Sequence, residues 1–121
     1  MNFQPINIDS KFALFSEQWS PKEIAKVNDY LVKIGKLQGD FVWHKHEETD
    51  ELFIVNKGIL RVDFREGPVF LTKGQLLVVP KGVEHKTQAD QECELIMFEP
   101  EKTLNTGNIT GDMTVENLEW I

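Results

Sequence analysis

Residues 51–64 read ELFIVNKGILRVDF and place two short apolar runs on either side of the turn sequence NKG at 56–58. Outward from this stretch, further runs rich in β-branched and aromatic residues end at glycine, proline or asparagine. The predicted strands cover residues 30–34, 51–55, 59–64, 69–72, 75–79 and 94–98. Short strands separated by turn residues are typical of an all-β sandwich or barrel, and the gaps are too short for the crossover helices of a parallel sheet.

One segment before these strands carries a helix signature. Ser20 can act as the N-cap, Pro21 occupies the first helical position, and Glu23 completes a capping box with Ser20. Ile24 and Val27 supply a narrow apolar stripe. We therefore predict a short N-terminal helix at this point.

The last segment, residues 101–121, is polar but finishes on the apolar side chains of Leu118, Trp120 and Ile121. An indole ring is costly to leave in water. We therefore expect an extended C-terminal arm that docks on the barrel or on a partner subunit. The alternative is a frayed end, which is common at chain termini.

The composition is that of one small acidic domain. The chain has 121 residues, with 20 acidic side chains against 13 basic ones and a formal net charge of −7. This length predicts a single domain over residues 1–121. We expect the barrel itself at about 29–100, after an N-terminal segment at 1–28 and before the C-terminal arm. The charge argues against binding to nucleic acids or anionic membranes, which requires clustered lysine and arginine. The sequence shows neither a secretory signal pattern nor a run near the ~18 apolar residues of a spanning helix, so we expect a cytoplasmic protein.

The three histidines of the chain are placed for metal binding. His44 and His46 are two residues apart, so both imidazoles lie on one face if this segment is extended. Glu51 starts the next apolar run, and a tight turn can return its carboxylate to the pair, while His85 follows the turn sequence VPKGVE at 79–84. Three imidazoles and one carboxylate suit Fe(II), Mn(II), Ni(II), Cu(II) or Zn(II). A six-coordinate ion held by these groups keeps open positions for water, substrate or dioxygen.

Two motifs around these residues resemble those of the cupin superfamily. The first is Gly39-x4-His44-x-His46-x4-Glu51-x6-Gly58, and the second is Gly74-x5-Pro80-x-Gly82-x2-His85. The first glycine lies one residue nearer the histidines than is usual, and Gln88, Ala89 and Asp90 stand where the second motif has an asparagine. The resemblance covers roughly residues 29–100. It implies a double-stranded β-helix, or jelly-roll barrel, with an internal metal ion whose ligands are His44, His46, Glu51 and His85.

Side chains beside the candidate ligands have other expected roles. The acidic residues Glu47, Glu48 and Asp50 are expected to form a solvated loop, although one of them could accept a hydrogen bond from a ligand imidazole. Trp43 has the opposite parity to the histidines and is expected to face the outer layer or a subunit interface. Cys93 stands between two glutamates, which raise a thiol pKa, so we do not expect it to be a nucleophile.

The run at 51–55 is apolar on both faces, which indicates that a second surface covers the barrel wall. The region 29–39, the predicted helix or a second subunit could supply that surface. We expect a homodimer, because a dimer is the commonest closed oligomer.

The fold alone does not determine the reaction. The resemblance implies a metal-dependent enzyme of the dioxygenase or isomerase type that acts on a small polar metabolite. The alternative is a non-enzymatic cupin that binds or senses a small, sugar-like molecule. The sequence identifies no catalytic residue beyond the ligands and no phosphate-binding or dinucleotide-binding loop. In an enzyme, the ion and its bound water would then carry most of the chemistry.

Overall fold

A computed structural model describes residues 3–121 of the chain. Within them the chain forms one short helix, α1 (Ile8–Phe12), and eight strands. The strands are β1 (Lys22–Val27), β2 (Tyr30–Asp40), β3 (Glu51–Lys57), β4 (Leu60–Phe64), β5 (Gly67–Leu71), β6 (Leu76–Val79), β7 (His85–Pro100) and β8 (Glu119–Trp120). The predicted all-β class is confirmed. No helix among the described residues is long and apolar enough to cross a membrane.

Strand β7 organises the sheet, because it pairs along its length with three other strands. Its first residues pair antiparallel with β4, and its later residues lie between β2 and β3. β5 follows β4, β6 pairs with β3, and β1 and β8 extend the sheet beyond β2. The architecture is the jelly-roll barrel that the sequence predicted.

The interior of the barrel is filled by alternate residues of the strands, as the two-residue period of a strand requires. On β3, Glu51, Phe53 and Val55 are buried, whereas Leu52 and Ile54 are half-buried on the outer face. The buried apolar core consists of Leu37, Phe53, Val55, Leu60, Val62, Leu71, Val79, Ala89, Cys93 and Leu95.

The prediction of a helix that begins at Ser20 is wrong, because Lys22–Val27 is strand β1 and pairs antiparallel with β2. Val27 pairs with Tyr30 across a two-residue turn, in which Asn28 adopts a left-handed backbone with φ of 55°. Such turns join adjacent antiparallel strands. The capping pattern is a local preference, and strand pairing with β2 outweighs it.

The helix of the structure lies earlier in the chain. Asn7 is its N-cap, and the side-chain oxygen of Asn7 accepts a hydrogen bond from the backbone N–H of Ser10 at 2.9 Å. Phe12 and Phe15 follow and pack on Ile34 at the outer face of the sheet. This N-terminal segment therefore supplies part of the second covering surface that the sequence indicated.

The expectation of a docked C-terminal arm is confirmed, and the arm docks on its own barrel. Strand β8 pairs parallel with β1. The N–H of Ile121 donates to the carbonyl of Glu23 at 3.0 Å, and its side chain packs against the Phe12 cluster. Trp120 remains 55% exposed. Ile121, rather than the indole, makes the apolar contact.

Candidate metal centre

The structure brings together all four residues that the sequence singled out. One potential ligand atom from each of His44, His46, Glu51 and His85 lies within 4.8 Å of the others, and all four residues are buried. His44 and His85 form an isolated antiparallel bridge, in which each N–H donates to the carbonyl of the other at 2.9 Å. The carbonyl of His46 accepts from the N–H of Gly82 at 2.7 Å. Backbone hydrogen bonds therefore hold together two motifs that are distant in sequence.

The Nδ1 atoms of two histidines are held by backbone carbonyls. Nδ1 of His44 lies 2.9 Å from the carbonyl oxygen of Val42, and Nδ1 of His85 lies 2.9 Å from that of Val83. A carbonyl only accepts, so Nδ1 carries the proton in each neutral ring. Nε2 of each ring therefore keeps its lone pair for a metal ion, the usual arrangement of a ligating histidine.

The carboxylate of Glu51 lies between Nε2 of His46 and Nε2 of His85. Its Oε1 is 3.1 Å from Nε2 of His85, and its Oε2 is 3.2 Å from Nε2 of His46. Nε2 of His46 is buried and makes no hydrogen bond within residues 3–121. A metal ion would satisfy this atom, so the donor set fits one.

Burial keeps His44 in the form that binds metals. Loss of solvation lowers the pKa of His44 to about 4. A ligating imidazole must be neutral, so metal binding at neutral pH displaces no proton from this ring.

The acidic turn between His46 and Glu51 is solvated, as expected. Glu47 and Glu48 are exposed, and Glu47 pairs with Lys45 at 3.2 Å on the surface. Asp50 is also exposed, and its Oδ1 accepts from the backbone N–H of Lys81 at 2.9 Å. The turn is thereby tied to the loop of the second motif.

Trp43 lies on the outer layer, as its parity predicted. The guanidinium carbon of Arg65 is 3.7 Å from the Trp43 ring centroid, and the ammonium of Lys86 is 5.7 Å from it. These are cation–π contacts. The neighbouring Phe41 instead turns inward, where it stacks on Trp19 and meets the ring of His44 edge-on at 5.3 Å between centroids.

A cavity of about 130 Å³ opens beside the candidate ligands. His44 and Glu51 form part of its wall. The apolar wall residues include Leu37, Phe41, Phe53, Leu95 and Met97, and charged side chains such as those of Glu23, Lys36 and Glu101 also line the cavity. The C-terminal arm closes another side through Leu104, Val115 and Leu118. The sequence predicted that the arm would dock but not that it would line the cavity.

Sequence reasoning missed two polar residues in the cavity wall, Lys33 and Glu99. Nζ of Lys33 lies 3.0 Å from Oε1 of Glu99, and both side chains are almost fully buried. Burial, and then the nearby charge of Glu51, raises the pKa of Glu99 well above its usual value. The available signal was a lysine placed between Val32 and Ile34 in an otherwise apolar run.

Comparisons with known proteins agree with this architecture. A family profile described as "Cupin domain" matches residues 30–99. The chain is 39% identical over 67 residues to the uncharacterized protein YdbB of Bacillus subtilis (strain 168); the match spans 54% of this chain and 59% of that protein.

Solved structures show the same fold. A cupin-2 domain containing protein from Shewanella frigidimarina NCIMB 400 has a TM-score of 0.79 and 49% identity, over 79% of this chain and 94% of that one. Hydroquinone 1,2-dioxygenase PnpCD, solved in complex with Cd²⁺ and 4-hydroxybenzonitrile, has a TM-score of 0.62 and 19% identity, over 88% of this chain and 74% of that one. At that identity the second likeness concerns the fold alone.

Proposed function

Since this chain belongs to the cupin domain family, we propose that it is a metal-dependent enzyme, of the dioxygenase or isomerase type, that acts on a small polar metabolite in the barrel cavity. One observation carries the proposal: His44 and Glu51 belong both to the candidate ligand cluster and to the cavity wall. An ion held by these residues would meet a molecule in the cavity. A purely structural metal site, by contrast, has a closed ligand shell.

The donor set suits a catalytic transition metal. Three imidazoles and one carboxylate are compatible with Fe, Mn, Ni, Cu or Zn, and they leave two positions open in a six-coordinate ion. When bound, the ion would supply Lewis-acid or redox chemistry. Nε2 of His46 is buried and lies near the Glu51 carboxylate without a hydrogen bond within residues 3–121, which supports the view that this set of donors serves an ion.

The other wall residues would hold the metabolite and exclude water. Phe41 meets His44 edge-on, and Phe53 lies with its ring centroid 6.1 Å from that of His85. Leu104 of the arm covers the same cavity. Where these side chains exclude water, charges on the ion and on the substrate would interact more strongly than they do in water.

We also propose that the protein works in the cytoplasm as a homodimer. Support for the dimer comes from the outer face of the barrel. Leu76 and Val78 on β6 are 60% and 49% exposed, beside the half-buried Leu52 and Ile54 on β3. The N-terminal segment covers only the part of this face near Ile34. A second copy would cover the rest.

Metal content tests the proposed ligands. Purified wild-type protein should contain a transition metal at close to one ion per chain, and the double variant His44→Ala/His46→Ala should lose it. Lys45→Ala is the matched control, because Lys45 lies between the two histidines but its side chain contacts Glu47 on the surface. Equal metal content in the wild type and the double variant would contradict the assignment.

Turnover then separates an enzyme from a binding protein. The metal-loaded protein is assayed for oxygen uptake with hydroquinone or catechol and for isomerisation of glucose. Activity that disappears in Glu51→Gln supports the proposal. A metal-free protein that retains a tightly bound organic molecule would instead favour the non-enzymatic binding role.

A further inference from the structure

Lys33 and Glu99 form an ion pair inside the barrel that metal binding does not require. We infer that this pair binds a hydroxyl group of the substrate, so that the cavity selects small hydroxylated ring compounds. The inference rests on the proposed function only in taking the cavity as the substrate site.

The two side chains approach each other from neighbouring strands. Lys33 on β2 pairs across the sheet with Met97 on β7, and Glu99 on β7 pairs with Leu31 on β2. The two residues are therefore diagonal neighbours on one face. Their side chains are 3% and 2% exposed, and both line the cavity that the candidate metal ligands also line.

Each member of the pair keeps one hydrogen-bonding position unused. Nζ of Lys33 donates to Oε1 of Glu99 at 3.0 Å and to the carbonyl of Thr103 at 3.3 Å. An ammonium has three N–H groups, and no described residue accepts from the third. Oε2 of Glu99 is buried and makes no hydrogen bond within residues 3–121, although the carboxyl group of Glu51 lies near that of Glu99. Buried polar atoms rarely stay unpaired, so the pair offers one donor and one acceptor to a bound molecule.

A hydroxyl group satisfies both positions at once. Its oxygen accepts from Lys33, and its hydrogen is donated to Glu99. A cationic group would be repelled by Lys33, and an anionic group by an ionised Glu99.

The apolar part of the wall favours a ring. Phe53, Leu95 and Met97 present apolar surface to the same cavity. Its volume of about 130 Å³ is close to that of an engineered apolar cavity, about 150 Å³, that binds benzene. A single ring with a hydroxyl group is therefore the class of molecule that these residues fit.

Phenol and anisole test this recognition, because they share the ring and differ in the hydroxyl hydrogen. Isothermal titration calorimetry on the full chain should show phenol binding tighter than anisole by on the order of 10-fold or more. The double variant Lys33→Met/Glu99→Leu removes both charges together, so neither is left buried alone. We expect it to bind the two probes alike. Removal of an exposed ion pair in Arg65→Met/Glu84→Leu is the control and should leave the preference intact.

A second variant covers the case in which the double variant does not fold. Glu99→Gln keeps the size of the side chain but replaces one acceptor by a donor, so it should weaken phenol binding and leave anisole binding unchanged. Equal binding of the two probes by the wild type, binding of neither, or a preference that survives in the variants would each overturn the inference.

The same titrations, on metal-loaded protein and again after a chelator has removed the metal, separate the proposed metal-dependent enzyme from the proposed hydroxyl site. A wild-type chain that never holds metal but still prefers phenol would overturn the proposed enzyme and support the hydroxyl site. A metal-loaded chain without the preference would overturn the hydroxyl site alone.

Discussion

Asn108 pairs with both backbone polar groups of Lys45. Its side-chain oxygen accepts from the N–H of Lys45 at 2.9 Å, and its own N–H donates to the Lys45 carbonyl at 3.0 Å. Lys45 stands between His44 and His46, so the C-terminal arm is attached to the backbone segment that carries two candidate ligands. The position of the arm and the position of the ligands are therefore coupled.

Gly107 makes this attachment possible, and Gly107→Ala should disrupt it. A Cβ at this position would overlap the carbonyl of Lys45, and the backbone is left-handed with φ of +57°. The left-handed backbone alone should cost about 1–2 kcal/mol, and a displaced arm should weaken metal binding by about 10-fold, as loss of a supporting contact does. Metal titration and thermal unfolding measure both effects. Gly111→Ala is the control, since nothing lies near that position; equal effects of the two substitutions would contradict the coupling.

The sequence predicted most of the central strands because their ends are marked by a short-range pattern, whereas the full ligand set, with His85 distant in sequence, followed from the resemblance to the two cupin motifs. His44 and His46 share a face in any extended segment, and Glu51 opens an apolar run of strand length. Glycine and proline between the runs marked where strands end. These features hold before any tertiary contact is known.

The features that the sequence did not predict depend on the register between paired strands, and the pattern of apolar and turn residues does not contain that register. The capping box at Ser20 is locally sound, but the turn at Asn28 pairs that segment with β2. Lys33 and Glu99 become neighbours only once β2 and β7 are aligned. A polar residue in an apolar run can face either side of a wall, so their place in the cavity could not be predicted from the sequence alone.

Acid should destabilise the metal-free protein through His44. The pKa of this ring is about 4 in the folded protein against 6.5 in an unfolded chain. Between these values the unfolded state binds more protons, so the free energy of unfolding falls as pH is lowered through this window. The shift corresponds to about 3 kcal/mol of unfolding free energy. This contribution is present in full above pH 6.5 and is lost as the pH falls toward 4.

Urea unfolding at a series of pH values, after removal of metal, measures this dependence. His44→Gln lacks the titrating ring, so its unfolding free energy should vary less over the same range. Identical pH profiles of the variant and the wild type would show that His44 is not the group responsible.

Cys93 should be inert in the folded protein. Burial, and to a smaller extent the charge of Glu94, raises the pKa of the thiol to about 12. The reactive thiolate is then scarce at mildly alkaline pH, and the sulfur is enclosed in the barrel core. We expect no reaction with Ellman's reagent until guanidinium is added, and then one thiol per chain. Stoichiometric reaction without denaturant would mean that the core opens around β7.

The proposed dimer should depend on β6, which pairs only with β3 among the described strands. Leu76 lies opposite Ile54 and Val78 opposite Leu52, so these side chains form one apolar row on the outer face. Leu76→Lys/Val78→Lys places two charges in that row. Because buried unpaired charges are costly at an interface, this variant should be monomeric while keeping its fold and its metal. Light scattering coupled to size-exclusion chromatography gives the mass.

Phe70→Lys on β5 is the control, because Phe70 is equally exposed, at 62%, but lies on a different strand. A monomeric wild type at all concentrations, or a dimer that survives both substitutions on β6, would contradict the proposed interface.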